Sequence, residues 1–385
     1  MGFTGFTLVM PFLPLYFGLL GVTDVGEVAL WSGLSLGVTP ALAAILSPVW
    51  GRLADRFGLK LMVERSLLSF VIIMTATAFV TRAWHVFALR AVQGLFAGFG
   101  SLTLTMAAES APRDGLESSI GSVQAAQRLG PTLGPVIGGT IAQFVGLRRA
   151  FLLAAAFYAI AFLVVLTLYR EAPRPVRAAR DEAGRRVTFR SVLAFQHFLL
   201  LMAAIFCLQF IDRSFGPILP IYVAQLGVSQ GRVPLLAGLV FSIVAGAGAL
   251  GHQLSGRVLH RRSPREVMVA SCTVSAAGVL AVGLAPGVGT LMLAGGCFGV
   301  GLGVAMTAAY GVAGRVIPPG ARGAGFGVLT TASLSGIALS PIFSGLLGAA
   351  SIRAVFIFDA VALAALTWVV ARLLGDATGP AGSAA

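Results

Sequence analysis

The chain has 385 residues, of which 57% are hydrophobic and 11% are charged, less than half of the charged share in a soluble domain. A mean hydropathy of +0.92 excludes a water-soluble protein. The net charge of +13 is divided among short loops, which excludes the continuous basic face of a nucleic-acid-binding protein.

Apolar runs of about 20 residues predict helices that cross ~30 Å of hydrocarbon, and therefore an all-α membrane protein. Six spans are predicted near 1–20, 28–50, 61–81, 85–108, 118–144 and 149–169. Six more follow near 195–225, 233–256, 266–285, 288–313, 322–349 and 352–374. We expect an N-terminal six-helix bundle over 1–169, an Arg- and Pro-rich cytoplasmic linker over 170–192, a C-terminal six-helix bundle over 193–376 and a cytoplasmic tail over 377–385.

The distribution of basic residues predicts the orientation of these spans. The loops on one side, together with the linker and the C-terminal end, hold 19 of the 27 Lys and Arg residues, and the opposite loops hold five. Because positively charged loops stay in the cytoplasm, both termini are predicted to be cytoplasmic. We expect a monomeric, multi-pass membrane protein, in contact with lipid and without a cofactor, metal or nucleic-acid partner.

The two halves are related by an internal repeat. PFLPLYFGLLGV at 11–22 matches PILPIYVAQLGV at 217–228, an offset of 206 residues. Two parallel repeats of six spans place a substrate path between the halves, near the bilayer midplane. Residues 195–206 have no counterpart in the first span, so we expect the native chain to begin about a dozen residues upstream.

The fifth predicted span contains LGPTLGPVIGG at 129–139. Gly130, Gly134 and Gly138 are four residues apart and form a smooth stripe, along which another helix can approach closely. Pro131 and Pro135 bend the helix, and neighbouring helices are expected to satisfy the freed backbone groups.

Polar residues cluster on two of these apolar helices. Gln124, Gln127 and Arg128 share one face of the fifth span, about 160° from Gly130, so Arg128 is predicted to face a wet cavity; the alternative is structural pairing with a carboxylate. Arg90 and Gln93 share a face of the fourth span. The predicted substrate cavity contains Arg128, Gln124, Gln127, Gln93, Arg213 and Phe210.

A carboxyl group inside an apolar span can be neutral in one environment and charged in another. Asp212 lies within the seventh span, just before PILP, and is the favoured proton carrier; the alternative is a fixed pair between Asp212 and a cation. Asp359 lies in the twelfth span and is expected to pair with a polar neighbour.

Several motifs in the same order resemble the major facilitator superfamily, and within it the twelve-span drug:proton antiporters. SPVWGRLADRFGLKLMVERS at 47–66 resembles the family's loop 2–3 signature, although Leu59 replaces a basic residue. LRAVQG at 89–94 resembles the fourth-span signature. The fifth span fits the antiporter pattern throughout, and VMPFLPLY at 9–16 and WSG at 31–33 resemble bacterial multidrug-resistance members.

This resemblance implies roles for named residues. Arg90 would take part in proton coupling; the alternative is a network of hydrogen bonds that only holds the bundle. A cytoplasmic gate would comprise Gly51, Asp55, Arg56, Gly58 and Lys60. The antiporter motif comprises Gly121, Gly130, Gly134, Pro135, Gly138 and Gly139. Its glycine stripe would pack against a span of the other half; the alternative is a static helix–helix contact with no gating role.

No clustered catalytic set and no ATP-binding loop occurs, so the sequence does not indicate an enzyme. The expected function is secondary active, proton-coupled efflux of small amphipathic or drug-like compounds by alternating access. The alternative is a proton-coupled symporter or a uniporter of a polar or anionic metabolite.

Overall fold

The computed structural model describes residues 2–98, 102–103, 106, 116–169, 197–259, 261–317 and 322–374, with side chains at all of these except 2–3, 47–48, 51, 55, 116–128 and 322–324. The described residues are almost entirely helical and contain no strand, which confirms the predicted all-α class.

Seven helices lie in the described part of the first repeat. They are α1 (Gly2–Val9), α2 (Leu13–Leu19), α3 (Val25–Phe57), α4 (Leu59–Ala78), α5 (Ala83–Leu95), α6 (Leu116–Val145) and α7 (Leu147–Leu168). A 3-10 turn, Met10–Phe12, joins α1 to α2.

Seven more helices lie in the described part of the second repeat. They are α8 (Phe198–Ser214), α9 (Leu219–Gln225), α10 (Val233–Leu259), α11 (Pro264–Gly283), α12 (Val288–Val316), α13 (Arg322–Ala350) and α14 (Ile352–Leu373). A 3-10 turn, Gln230–Arg232, precedes α10.

The repeat in the sequence produces a repeat in the backbone. The PxxP segments interrupt the first span between α1 and α2 and the seventh between α8 and α9, where the axis bends by 46°, because proline cannot donate the helical hydrogen bond. Gly21 and Gly227 then follow with φ of 91° and 80°, a conformation that favours glycine.

Packing divides the chain into two compact units. The first comprises Met1–Gly184, Gly216–Ser242 and Pro341–Ala349. Within it α4 packs against α7, α3 against α5, and α1 against both α6 and α7. Tyr16 is fully buried in this core, and its hydroxyl donates to the carbonyl oxygen of Thr77 (2.6 Å).

The second unit comprises Arg185–Phe215, Ile243–Ser340 and Ala350–Ala385. Here α11 packs against α12 and α14, and α8 packs against the same two helices. Phe215 fills this core, with its ring centroid 5.0 Å from that of Phe298 and 5.5 Å from that of Phe356.

Eight helices in the described part of the chain are long and apolar enough to cross a bilayer, or nine if α8 and α9 form one bent span. The protein is therefore a multi-pass membrane protein. The expectation of twelve crossings stays a prediction: the remaining three fall on the interrupted first span, on α5 and on α6, whose side chains at 116–128 are outside the described residues.

Candidate functional site

A buried arginine lies between α3 and α5 of the first unit. Arg90 is 1% exposed; its Nε donates to the carbonyl oxygen of Ser35 (3.2 Å) and its Nη1 donates to Oε1 of Gln93. The two helices approach closely because Gly94 has no side chain: a Cβ there would lie 2.8 Å from the carbonyl oxygen of Thr39. The structure thus brings Arg90 and Gln93 into contact.

Several polar atoms around Arg90 have no hydrogen-bond partner in the described part of the chain. They are Nη2 of Arg90, Nε2 of Gln93 and Oγ of Ser35. No carboxylate among the described residues forms an ion pair with Arg90. The role of Arg90 in proton coupling stays a prediction.

Part of the predicted substrate cavity cannot be placed. The positions of Gly121, Gln124, Gln127 and Arg128 within their helix lie outside the residues whose side chains are described.

Among the residues that are described, no group of three His, Cys, Asp or Glu side chains is arranged to hold a metal ion.

The glycine stripe of α6 packs against α1. A Cβ on Gly134 would overlap the Thr7 side chain, and one on Gly138 would overlap the carbonyl oxygen of Leu8. Thr7 Oγ1 donates to the carbonyl oxygen of Gly130 (2.7 Å). The carbonyl oxygens freed by Pro131 and Pro135 are those of residues 127 and 131, so their satisfaction by neighbouring helices stays a prediction.

A second face of α6 meets α10. A Cβ on Gly139 would overlap the carbonyl oxygen of Pro234, and one on Gly238 would overlap the carbonyl oxygen of Pro135. The backbone nitrogen of Val136 also donates to Oγ of Ser242 (3.1 Å). All of these residues belong to the first compact unit.

The contact with a helix of the other repeat is thus made by Pro135 and Gly139 and not, as expected, by the stripe. Successive residues of a helix point about 100° apart, so Pro135 and Gly139 each lie one step round the axis from Gly134 and Gly138. One motif therefore serves two neighbouring helices.

The repeat places an equivalent crossing between α3 and α13. A Cβ on Gly33 would overlap the carbonyl oxygen of Pro341, and one on Gly345 would lie 2.6 Å from the carbonyl oxygen of Ala29. Pro341 and Gly345 follow Pro135 and Gly139 by 206 residues. Two glycine–proline crossings of the same construction therefore occur in the first unit.

Asp212 and Arg213 lie at the end of α8 and pair with each other. Arg213 Nε is 3.2 Å from Oδ2 of Asp212, and their side chains are 46% and 34% exposed. The alternative of a fixed pair between Asp212 and a cation describes this arrangement. The proton-carrier role of Asp212 stays a prediction.

Phe210 lies on α8 among aromatic and small residues. Its ring centroid is 5.9 Å from that of Phe206 and 6.2 Å from that of Phe358, and its carbonyl oxygen accepts from Oγ of Ser340. These apolar surroundings suit a hydrophobic substrate. That Phe210 lines a substrate cavity stays a prediction.

Asp359 is the buried carboxyl group that sequence reasoning set aside. It is 0% exposed on α14, its Oδ2 lies 2.5 Å from Oγ of Ser214, and its Oδ1 has no partner among the described residues. The signal was present in the sequence: an acidic residue within IRAVFIFDAVALAAL, an otherwise apolar span.

The predicted cytoplasmic gate is only partly described. Gly58 has φ of 110° and joins α3 directly to α4, and the guanidinium of Arg56 lies 5.2 Å from the ring centroid of Phe57. Lys60 Nζ donates to the carbonyl oxygen of Leu166 (2.9 Å), in the last turn of α7, where carbonyls lack helical partners. The side chains of Gly51 and Asp55 lie outside the described residues.

Sequence reasoning missed two residues at the same end of the first unit. The guanidinium of Arg65 lies 3.4 Å from the ring centroid of Trp50, and Arg65 Nη2 donates to the carbonyl oxygen of Phe96 (3.2 Å). Trp50 Nε1 donates to the carbonyl oxygen of Leu95 (2.9 Å). This Trp50–Arg65 pair therefore caps the C-terminal end of α5, and the tryptophan within the loop motif was the available signal.

Comparison with known proteins agrees with this architecture. The sequence profile of the Major Facilitator Superfamily matches residues 1–290 and 234–384. Over 270 residues, or 70% of this chain, the sequence is 33% identical to the multidrug resistance protein MdtG of a Rahnella species and 34% identical to that of Escherichia fergusonii. The aligned part spans 65% and 66% of these two relatives, just under two thirds of each.

Solved structures show the same fold. A bacterial homologue of the human lysosomal transporter Spinster superposes with a TM-score of 0.80 at 16% identity, covering 99% of this chain and 96% of that one. The nucleoside transporter NupG superposes with a TM-score of 0.71 at 19% identity, covering 97% and 98%. With its family profile matched over nearly the whole sequence, the chain belongs to the major facilitator superfamily.

Proposed function

We propose that the protein is a secondary active transporter that exports small amphipathic or drug-like compounds in exchange for protons. It works by alternating access in a bacterial inner membrane, as a monomer in contact with lipid and with both termini in the cytoplasm. The bundles over 1–169 and 193–376, joined by the linker over 170–192, are its moving parts.

The observation that carries the proposal is the pair of glycine–proline crossings. At each of them the backbones of helices from the two repeats touch through carbonyl oxygens and glycine Cα atoms. Small residues let membrane helices approach without interlocking side chains. Contacts of this kind can separate and re-form as a unit, which is what a gate that closes one side of a transport path requires.

The choice of an amphipathic, drug-like cargo is supported by the MdtG relatives, which are named multidrug resistance proteins. The aromatic side chains beside Phe210 suit such a cargo. For the proton, Asp212 supplies a carboxyl group and Arg90 a buried cation.

A second candidate function is proton-coupled symport or uniport of a polar or anionic metabolite. The observation that favours it is the group of unpartnered donors around Arg90. A solute carboxylate or phosphate would satisfy these donors and neutralise the cation.

A cell-based efflux assay separates the two functions. We expect a bacterial host that lacks its own drug pumps, and expresses this chain, to accumulate less ethidium and to tolerate more of several dyes and antibiotics. A protonophore should abolish both effects because the gradient supplies the driving force. Unchanged accumulation and sensitivity across the panel would reject drug efflux and favour the metabolite transporter.

A further inference from the structure

The strongest unassigned feature of the second unit is the contact between Asp359 and Ser214. Asp359 is buried in the first half of an apolar helix, with one carboxyl oxygen unpartnered among the described residues. No basic side chain in the described part of the chain forms an ion pair with it. An ionised carboxylate in this position would be desolvated.

The Ser214 hydroxyl makes two short contacts with oxygen atoms. Its Oγ lies 2.5 Å from Oδ2 of Asp359 and 2.9 Å from the carbonyl oxygen of Ile211. A serine hydroxyl has one hydrogen to donate, and a carbonyl oxygen has none. Both contacts are full two-centre hydrogen bonds at the same time only when the carboxyl of Asp359 carries the proton and donates it to Ser214, while Ser214 donates to Ile211.

The charged groups on the helices packed against α14 lie away from Asp359 or pair with each other. Arg265 of α11 donates to the carbonyl oxygen of Ala371, about three helical turns from Asp359. Glu266 of α11 pairs with Arg262.

On α8, Cys207 is close enough to interact electrostatically with Asp359, and on α11, Cys272 interacts with Cys207 in the same way. Both are thiols. Asp212 and Arg213 precede Ser214 on α8 but pair with each other.

The position of Ser214 connects this proton to the shape of the seventh span. Ser214 is the last residue of α8, and the axis bends by 46° between α8 and α9. The Ile211 carbonyl belongs to the last turn of α8, where carbonyl oxygens lack a partner within the helix. The hydrogen bond from the Ser214 hydroxyl to the Ile211 carbonyl oxygen therefore stabilises the end of α8, next to the bend.

We propose that Asp359 is a proton-binding site of the transporter and that Ser214 couples its protonation to the bend of the seventh span. With the proton bound, Asp359 donates to Ser214 and Ser214 donates to Ile211. When the proton leaves to water, the Ser214 hydroxyl turns to donate to the carboxylate, and the Ile211 carbonyl loses its donor. This inference rests on the proposed proton-coupled transport and adds to it a proton site in the second unit.

Infrared spectroscopy of the purified full chain in lipid nanodiscs tests the protonation directly, without requiring transport. At neutral pH we expect the carbonyl band of a protonated carboxyl, separate from the bands of ionised carboxylates. Asp359→Asn should remove it, while Asp212→Asn and the exposed Glu266→Gln should keep it. Absence of the band in the wild type, or its persistence in Asp359→Asn, would overturn the proposal.

Two serine variants keep the test decisive if Asp359→Asn does not fold. Ser214→Ala keeps the carboxyl but removes its hydrogen-bond partner, so we expect the band to shift in frequency. Ser214→Thr retains the hydroxyl and should restore the original frequency. An unshifted band in Ser214→Ala would show that the carboxyl does not bond to this side chain.

The coupling is tested by proton release on binding of ethidium, followed with a pH-sensitive dye in weakly buffered solution. We expect Asp359→Asn to release at most half as many protons per bound ethidium as the wild type, and Ser214→Ala to move the pH midpoint of release. The wild-type number of protons in Asp359→Asn would overturn the coupling while leaving drug transport intact. Failure of the wild type to bind ethidium would instead count against the proposed function, and the infrared result would still decide the proton site.

Discussion

Gly238 of α10 lies so close to Pro135 of α6 that a Cβ on the glycine would overlap the proline's carbonyl oxygen. The overlap is with backbone, which cannot rotate aside as a flexible side chain can. Gly33 and Pro341 make the same contact elsewhere in the first unit. The proposed gate depends on these two close contacts between helix backbones.

Replacing Gly238 with alanine should separate α10 from α6. Overpacking of this kind costs about 1–3 kcal/mol, so we expect a lower unfolding temperature and efflux reduced several-fold per folded molecule. Gly256→Ala is the matched control, because the same helix offers open space at Gly256 and alanine favours a helix over glycine by up to about 1 kcal/mol. Thermal unfolding and ethidium efflux measure both effects; equal behaviour of the two variants would count against a tight crossing.

The stripe on α6 is tested by Gly134→Leu and Gly138→Leu. Both side chains would enter the space of α1, at Thr7 and Leu8, and we expect each variant to lose solute flux per folded molecule. Flux is compared with the amount of monodisperse protein in the membrane, so that loss of folding is not mistaken for loss of movement. Untouched flux in both variants would show that transport does not require the close packing of α1 against α6.

Arg90→Lys keeps the charge but removes the planar guanidinium group, whose Nε bonds Ser35 and whose Nη1 bonds Gln93. Because lysine cannot reproduce this planar geometry, we expect transport to fall on the order of tenfold, as for other lost charge-assisted bonds worth about 1.5–3 kcal/mol. Arg149→Lys, at an exposed position near the start of α7, should leave transport unchanged. Wild-type flux in Arg90→Lys would mean that only the charge matters.

The Trp50–Arg65 pair should contribute to the stability of the first unit. A cation–π contact is worth about 0.5–2 kcal/mol depending on its solvation. A double-mutant cycle with Trp50→Leu, Arg65→Gln and the double variant measures the coupling, using reversible unfolding in mixed micelles. We expect a coupling of at least about 0.5 kcal/mol, and additive effects would indicate that the ring and the guanidinium act independently.

Several features of the fold were predictable because they depend on local sequence. Proline at both PxxP segments predicts the interrupted first and seventh spans. Glycine at positions 21 and 227 fits the positive φ after each interruption. The span limits agree to within several residues at most ends, although α3 continues past Pro40 and Pro48 and through the loop motif to Phe57.

It was less predictable which face of each helix contacts which neighbouring helix. In a membrane span, apolar side chains face lipid and protein alike, so hydrophobic pattern alone does not distinguish the two faces. Sequence reasoning therefore assigned the Gly134 and Gly138 face to the other repeat, whereas Gly139 makes that contact. It also set aside Asp359, because spacing along one helix does not reveal that Ser214 of another helix lies beside it.

The most direct test of the central claim is export of ethidium by purified protein in proteoliposomes under an imposed pH gradient. Dye movement against its own concentration gradient should follow the proton gradient, stop on addition of a protonophore, and reverse when the pH gradient is inverted. Dye movement that only equalises the two sides, with or without the gradient, would contradict proton-coupled transport by this chain.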